Sequence, residues 1–372
     1  MTSLLTRWRD WRERRAGLRE LYGLRAEERE RERFRVKDVL ADAVSAIKRD
    51  DLQHAEDMWI KAISLSKQDA ETSPWALPIL LGLKRFDEAE ELMKRLQARR
   101  PSNSEYALGL VKVAQAKGDH EAAAQFAVQV RKRFPRVMEG YTLGLSSLRD
   151  SKRFQEAELL AQEAMERFPN QVEMFMEHAR LASDQTDWAA ARERWNTVLT
   201  RFDHASGYIG VGHVLIELKQ FEEADELLAA GRVRYPLEVS MVIEYAHSAE
   251  QRGDTAEAKA RWRRVIDRFP THVIGVTAAA AALERLGDSD QAEQVLLETV
   301  ERIRHVPTPL IRLGEVQLRR HDFSAASETF SKLRERFPGE AIGYRRGAEA
   351  MDGLGRSDEA KALRTMHPSA EH

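Results

Sequence analysis

The sequence predicts an all-α protein built of tandem helical hairpins. Three regularities predict it: an aromatic-proline pair recurring at multiples of about 34 residues, a turn signal midway between successive prolines, and one alanine per unit shortly after that signal. Composition points the same way. Of 372 residues, 32% are charged and 42% hydrophobic, with only 20 glycines and 11 prolines, a balance that favours helix over sandwich or disorder. The formal net charge of −2 gives no bulk drive toward nucleic acid, so no nucleic-acid partner is expected. The absence of cysteine excludes disulfides, thiolate metal sites and a cysteine nucleophile.

The pairs Phe134-Pro135, Phe168-Pro169, Tyr235-Pro236, Phe269-Pro270 and Phe337-Pro338, with Pro101 one unit upstream, set the period. Steps from 101 to 135 to 169 are 34 each, 169 to 236 is one unit of 34 plus one of 33, and 270 to 338 is two units of 34. The two skipped slots fall at Asp203 and Arg304. In phase with the prolines lie Gly118-Asp119, Thr186-Asp187, Gly253-Asp254, Gly287-Asp288 and Gly355-Arg356, where glycine suits the left-handed residue that ends a first helix and the residues after it start a second. Ala55, Ala89, Ala123, Ala157, Ala191, Ala224, Ala258, Ala292, Ala326 and Ala360 mark one position per unit, as a close helix crossing requires. Each unit therefore reads as helix, tight turn, helix, proline stop.

These residues resemble the tetratricopeptide consensus, with units beginning near 36, 70, 104, 138, 172, 205, 239, 273, 307 and 341. Trp59, Trp195, Trp262 and Phe330 match the family's second-helix aromatic position, and Tyr141, Phe175, Tyr208 and Tyr344 its first-helix one. Two units depart from the pattern: Pro74 and Pro78 should shorten or kink the first helix of the second, and the eighth lacks its closing proline. The resemblance implies a right-handed superhelical solenoid of about ten repeats over residues 36–372, its first helices lining a concave face and its last helix serving as a cap.

No catalytic motif stands out, and neither catalytic residues, nor a cofactor, nor a metal is expected. Gly207, Gly210 and Gly212 stand in the order G-x-x-G-x-G at the start of a repeat helix, which reads as close packing of first helices rather than a nucleotide loop. His213 and His247 are 34 residues apart, with His178 two positions off that register. Stacked imidazoles could hold a metal or an acidic peptide, but polar groove residues are the expected reading.

The resemblance directs positions 2, 5, 9, 12 and 13 of each unit into the groove. Position 5 supplies Leu108, Thr142, Met176, Ile209, Ile243, Thr277, Ile311 and Arg345, read as an apolar stripe where solvent is expected. Position 9 supplies Lys112, Arg180, His213, His247 and, further on, Glu315, a run from basic to acidic. An apolar stripe rimmed by charge marks an interaction site. The expected function is a non-enzymatic scaffold or adaptor that binds a protein or peptide segment in this groove. Asn occurs only at 103, 170 and 196, outside the positions of a carboxylate clamp, so a chaperone-clamp role is not expected.

Residues 1–35 form a separate expectation. Up to Arg25, seven arginines face three acids, and Leu4, Trp8, Trp11, Leu18 and Tyr22 recur at helical steps. A basic amphipathic helix presenting Trp8, Trp11, Arg12 and Arg15 could lie on an anionic membrane surface, dock into a partner or cap the first repeat, and the three readings stay open. No apolar run reaches the ~18 residues of a membrane span, and the first 25 residues lack the apolar core of a secretory signal. The expected location is therefore cytoplasmic, peripheral to an inner membrane if the amphipathic reading holds. The excess of arginine over lysine suggests a bacterial source. Two alternatives remain for the function: an accessory subunit of a membrane-associated glycosyltransferase, polysaccharide or envelope assembly complex, and a self-assembling, homo-oligomeric array.

Overall fold

The computed structural model describes residues 34–47 and 51–366, and within them every regular element is a helix. Trp8, Trp11, Arg12 and Arg15 lie outside the described residues. By their internal contacts the residues divide into two compact units, Met1–Leu92 and Met93–His372.

In the first unit, α1 (residues 34–47) and α2 (Leu52–Glu71) form one hairpin, and α3 (Ala76–Gly82) leads into α4 (Phe86–Arg99), inside which the division falls. Helix α2 breaks at Ser66, whose backbone is extended at φ −158° and ψ 99°. Pro78 sits in the first turn of α3, where its missing N–H is harmless, and the helix reaches only seven residues. The expected shortening of this repeat is thus seen. Val36, Leu40, Trp59, Ile79 and Leu80 are buried here with Ala55 and Ala89.

The second unit continues with eight hairpins: α5 (Ser104–Ala116) and α6 (His120–Arg133), α7 (Glu139–Asp150) and α8 (Phe154–Arg167), α9 (Val172–Asp184) and α10 (Trp188–Phe202), α11 (Ala205–Glu217) and α12 (Phe221–Arg234). Then come α13 (Val239–Arg252) and α14 (Thr255–Arg268), α15 (Val273–Arg285) and α16 (Ser289–Arg302), α17 (Thr308–Arg319) and α18 (Phe323–Arg336), and α19 (Ala341–Gly353) and α20 (Ser357–Met366). From α7 onward each first helix packs on its own second helix, on the preceding second helix and on neighbouring first helices. Second helices make no comparable contact with one another. First helices are therefore the closer-spaced layer, and their outer surface is the inner face of a curved stack.

The repeat markers act as their chemistry requires. All ten marker alanines are fully buried, because a larger side chain would hold the crossing helices apart. Asp119, Asp187, Asp254 and Asp322 cap their helices by accepting from the backbone N–H three residues on. Gly118, Gly253, Gly287 and Gly355 take positive φ at the turn, while Lys152, Thr186, Lys219 and His321 occupy the same left-handed position without glycine's freedom. Phe134, Phe168, Tyr235, Phe269 and Phe337 leave the helical region, with φ between −120° and −138° and ψ between 55° and 70°, because a following proline disfavours helical backbone. At the two slots without proline, Asp203 stops α10 in the left-handed region and Ile303 stops α16 in the extended one.

The three glycines of α11 are explained by contact distance, with one correction. A Cβ at Gly207 would stand 2.5 Å from Leu199 Cα, at Gly210 2.1 Å from Trp195 Cδ2 and at Gly212 2.6 Å from Leu228 Cδ2. The close approaches are thus to the second helices α10 and α12, not between first helices. Glycine is needed where the Leu199 backbone, the Trp195 ring and the Leu228 side chain come this close to α11.

Candidate partner-binding groove

The groove residues of the second unit divide by burial. Met176 and Ile209 pack on one core cluster, with Val211, Leu215, Trp195 and Met241, and Ile243 and Ile311 pack on the next, with Trp262, Leu283 and Phe330. All four are partly buried: they complete the core and keep some surface at the inner face. Leu108 differs. It is 3% exposed, enclosed in a cluster with Val111, Ala127 and Val130, because nearly the whole of α5 from Tyr106 to Ala114 is buried. It belongs to the core and offers nothing to a partner, which corrects the sequence expectation.

The ring of charge is likewise more self-paired than its sequence suggests. Lys112 donates to Glu139 of the next first helix at 2.7 Å, Arg180 pairs with Glu177 on its own helix, and Glu315 accepts from Arg312 at 2.8 Å. The basic-to-acidic run is therefore locally neutralised. Between neighbouring first helices stands a ladder that sequence reading missed: Arg149 reaches Asp184, Arg285 reaches Glu250 at 2.8 Å, and Arg319 reaches Glu284 at 2.6 Å. All three pairs span 35 residues, one unit plus one position, and that offset of opposite charges is the signal that would have revealed them.

The structure brings Arg180, Ile209 and His213 together around a cavity of about 620 Å³ between α9, α11 and α13, which Ser183, Asp184 and Glu244 also line. The volume suits a few side chains of a ligand. Glu315 lies elsewhere, on a cavity of about 190 Å³ with Arg319, Arg346 and Glu349. At the edge of the large cavity, Glu244 faces both predicted histidines: His213 Nδ1 is 3.5 Å and His247 Nδ1 3.8 Å from its Oε2. Burial works to keep the Glu244 carboxyl protonated, but the two imidazoles outweigh it and hold the group at about 2. In return the Glu244 carboxylate raises His213 against the opposing effect of burial. His178 is drawn away from this group, its Nε2 meeting Glu158 at 2.8 Å beneath Arg194.

A sequence model of the tetratricopeptide repeat matches residues 78–136 and 245–305, in the same phase as the helical hairpins. Those two segments are tetratricopeptide repeats. No curated protein sequence is significantly similar to it. Among solved structures, a tetratricopeptide repeat protein from Parabacteroides merdae is 16% identical, covering 67% of this chain and 98% of its own, with a TM-score of 0.42. Yeast Tom70 is 11% identical over 89% of this chain and 91% of its own, with a TM-score of 0.49. Cut9 in the APC/C hetero-tetramer Cut9-Hcn1 is 13% identical over 88% and 67%, with a TM-score of 0.39.

Tetratricopeptide phase also accounts for a second device the sequence reading overlooked. Arg261 on α14 donates to both carboxylate oxygens of Asp225 at 2.7 Å and to the Tyr245 carbonyl at 2.8 Å. Arg194 on α10 repeats this two units earlier, bonding Glu158 and the His178 carbonyl. In both, a second-helix arginine ties the acid 36 residues before it to the carbonyl 16 residues before it, fastening two tetratricopeptide units with one side chain. Among the described residues no helix is long and apolar enough to cross a membrane.

Proposed function

We propose that the protein is a non-enzymatic scaffold that holds a segment of a protein partner along α9, α11 and α13. The observation that carries this reading is the 620 Å³ cavity between successive first helices, where the partly exposed Ile209 stands among convergent polar groups, Arg180, His213 and Glu244. Repeat stacks bind through such faces because many rigid elements present side chains on one surface. Met176, Ile209 and Ile243 would take aliphatic side chains of the segment, while Arg180 and His213 offer donors to its carbonyls or carboxylates. Main-chain recognition would leave partner choice to a few anchors.

The test is binding of the native partner by Ile209→Asp combined with Ile243→Asp, with helical circular dichroism and the unfolding midpoint as controls for folding. Two charges in the anchor strip should reduce affinity by at least ~100-fold, as expected when hot-spot contacts of ~2 kcal/mol or more are lost. Unchanged affinity in a folded variant would remove the groove from the binding surface.

A further inference from the structure

We propose that His213, Glu244 and His247 form a binding site for a divalent first-row transition ion, zinc in the first instance. One imidazole comes from α11, and a Glu-x-x-His pair one turn apart comes from α13. One donor atom from each of the three lies within 4.8 Å of the others, and among the described residues no other group of His, Asp or Glu meets that condition.

The spacing favours an ion over a direct contact. At 3.5 and 3.8 Å, the two imidazole-carboxylate separations exceed a hydrogen bond of about 2.7–3.2 Å. They lie close to the edge of a tetrahedron whose metal-ligand bonds are about 2.0 Å, which is about 3.3 Å. His213 Nδ1 and Glu244 Oε2 are buried and have no hydrogen-bond partner, an arrangement that costs free energy unless something bridges them. A cation shared by both satisfies both.

The surroundings support that role. The Gln251 amide nitrogen meets His247 Nε2 at 3.0 Å; turned over, the same amide would offer its Oε1 to accept from the Nε2–H and leave Nδ1 for the ion, as partners behind metal-bound histidines do. Two imidazoles and a carboxylate suit zinc and its neighbours, whereas calcium and magnesium prefer oxygen throughout. The three ligands leave coordination positions open, and His213 and Glu244 both line the 620 Å³ cavity, so the ion would present those positions to the groove. The inference stands without the partner, because ion binding is measured on the chain alone.

The experiment is calorimetric titration of the chelator-stripped, full-length protein with zinc sulfate, with cobalt(II) absorption reporting coordination. The expected result is one ion per chain with an intense, low-symmetry cobalt spectrum. That site should vanish in Glu244→Gln and in His213→Ala combined with His247→Ala, persist in His178→Gln, and weaken about 10-fold to 100-fold in Gln251→Ala. Equal stoichiometry and affinity in the ligand variants, absence of a one-to-one site, or the weak spectrum of a fully hydrated cobalt ion would overturn the proposal. Should the ligand variants fail to fold, X-ray absorption of the wild-type zinc complex decides. Two imidazoles in the inner shell support the site, and an oxygen-only shell or more than two imidazoles refutes it.

Discussion

Replacing Arg261 with Ala tests whether single arginines fasten neighbouring repeats. The side chain is 5% exposed, donates to Asp225, Glu257 and the Tyr245 carbonyl, and lies 3.7 Å from the centre of the Tyr245 ring. Removing one partner of a buried ion pair costs about 3–5 kcal/mol. Arg252 remains 3.3 Å from Asp225 and keeps part of the compensation, which places the loss near the lower end. Adding about 1 kcal/mol for the lost ring contact gives about 4 kcal/mol. Nearest-neighbour coupling should confine the damage to α11–α14, so hydrogen exchange would accelerate there while α17–α20 stay protected. Urea unfolding supplies the total. A loss below about 1 kcal/mol, or uniform acceleration along the chain, would refute the reasoning. The acid limb gives a second readout. Burial raises the Asp225 carboxyl, yet the bonds from Arg261 prevail and hold it below its ordinary 3.8. Its stabilising contribution is therefore present above that value and lost as pH falls below it, and Arg261→Ala should flatten that loss.

Three further outcomes follow from individual side chains. Gly210→Ala puts a Cβ 2.1 Å from the Trp195 ring and should destabilise by about 2 kcal/mol, overpacking outweighing the gain in helix propensity, as thermal unfolding would show; a stability unchanged or improved would mean that Trp195 yields freely. Lys219→Gly relieves a left-handed φ of 59° at an exposed turn and should stabilise by about 1 kcal/mol in urea titration, whereas Gly253→Ala at φ 82° should do the reverse. Burial lowers the His178 ring from 6.5 against the pull of Glu158, so the unfolded chain takes up that proton first, and stability should fall as pH drops below about 6.5; His178→Gln should remove this slope from unfolding midpoints taken at successive pH values.

How far the fold is legible in the sequence depends on how local its causes are. Turn glycines, capping aspartates, marker alanines and the pre-proline aromatics each act within a few residues of their own position, so spacing alone locates the helices from α5 onward. The short α3 is legible for the same reason, from Pro74 and Pro78. The groove is less so, because whether a first-helix side chain is exposed depends on how closely the next hairpin packs. Leu108 and Ile209 share one repeat position, yet Leu108 is buried in α5 and Ile209 borders a cavity. His213 and His247 could be paired by their 34-residue spacing. Glu244 could not, since its role depends on standing between two rings that belong to different helices. The arginine ladder lay within reach, as a 35-residue offset between opposite charges.

The central claim, that a protein partner occupies the inner face of α9, α11 and α13, is tested most directly by site-specific photo-crosslinking in the cell of origin. A photoreactive phenylalanine analogue placed at Ile209 should capture a distinct protein partner, and the same residue at Leu159, 68% exposed on the second helix α8, should not. Capture from position 159 but not from 209, or from neither, would contradict the account.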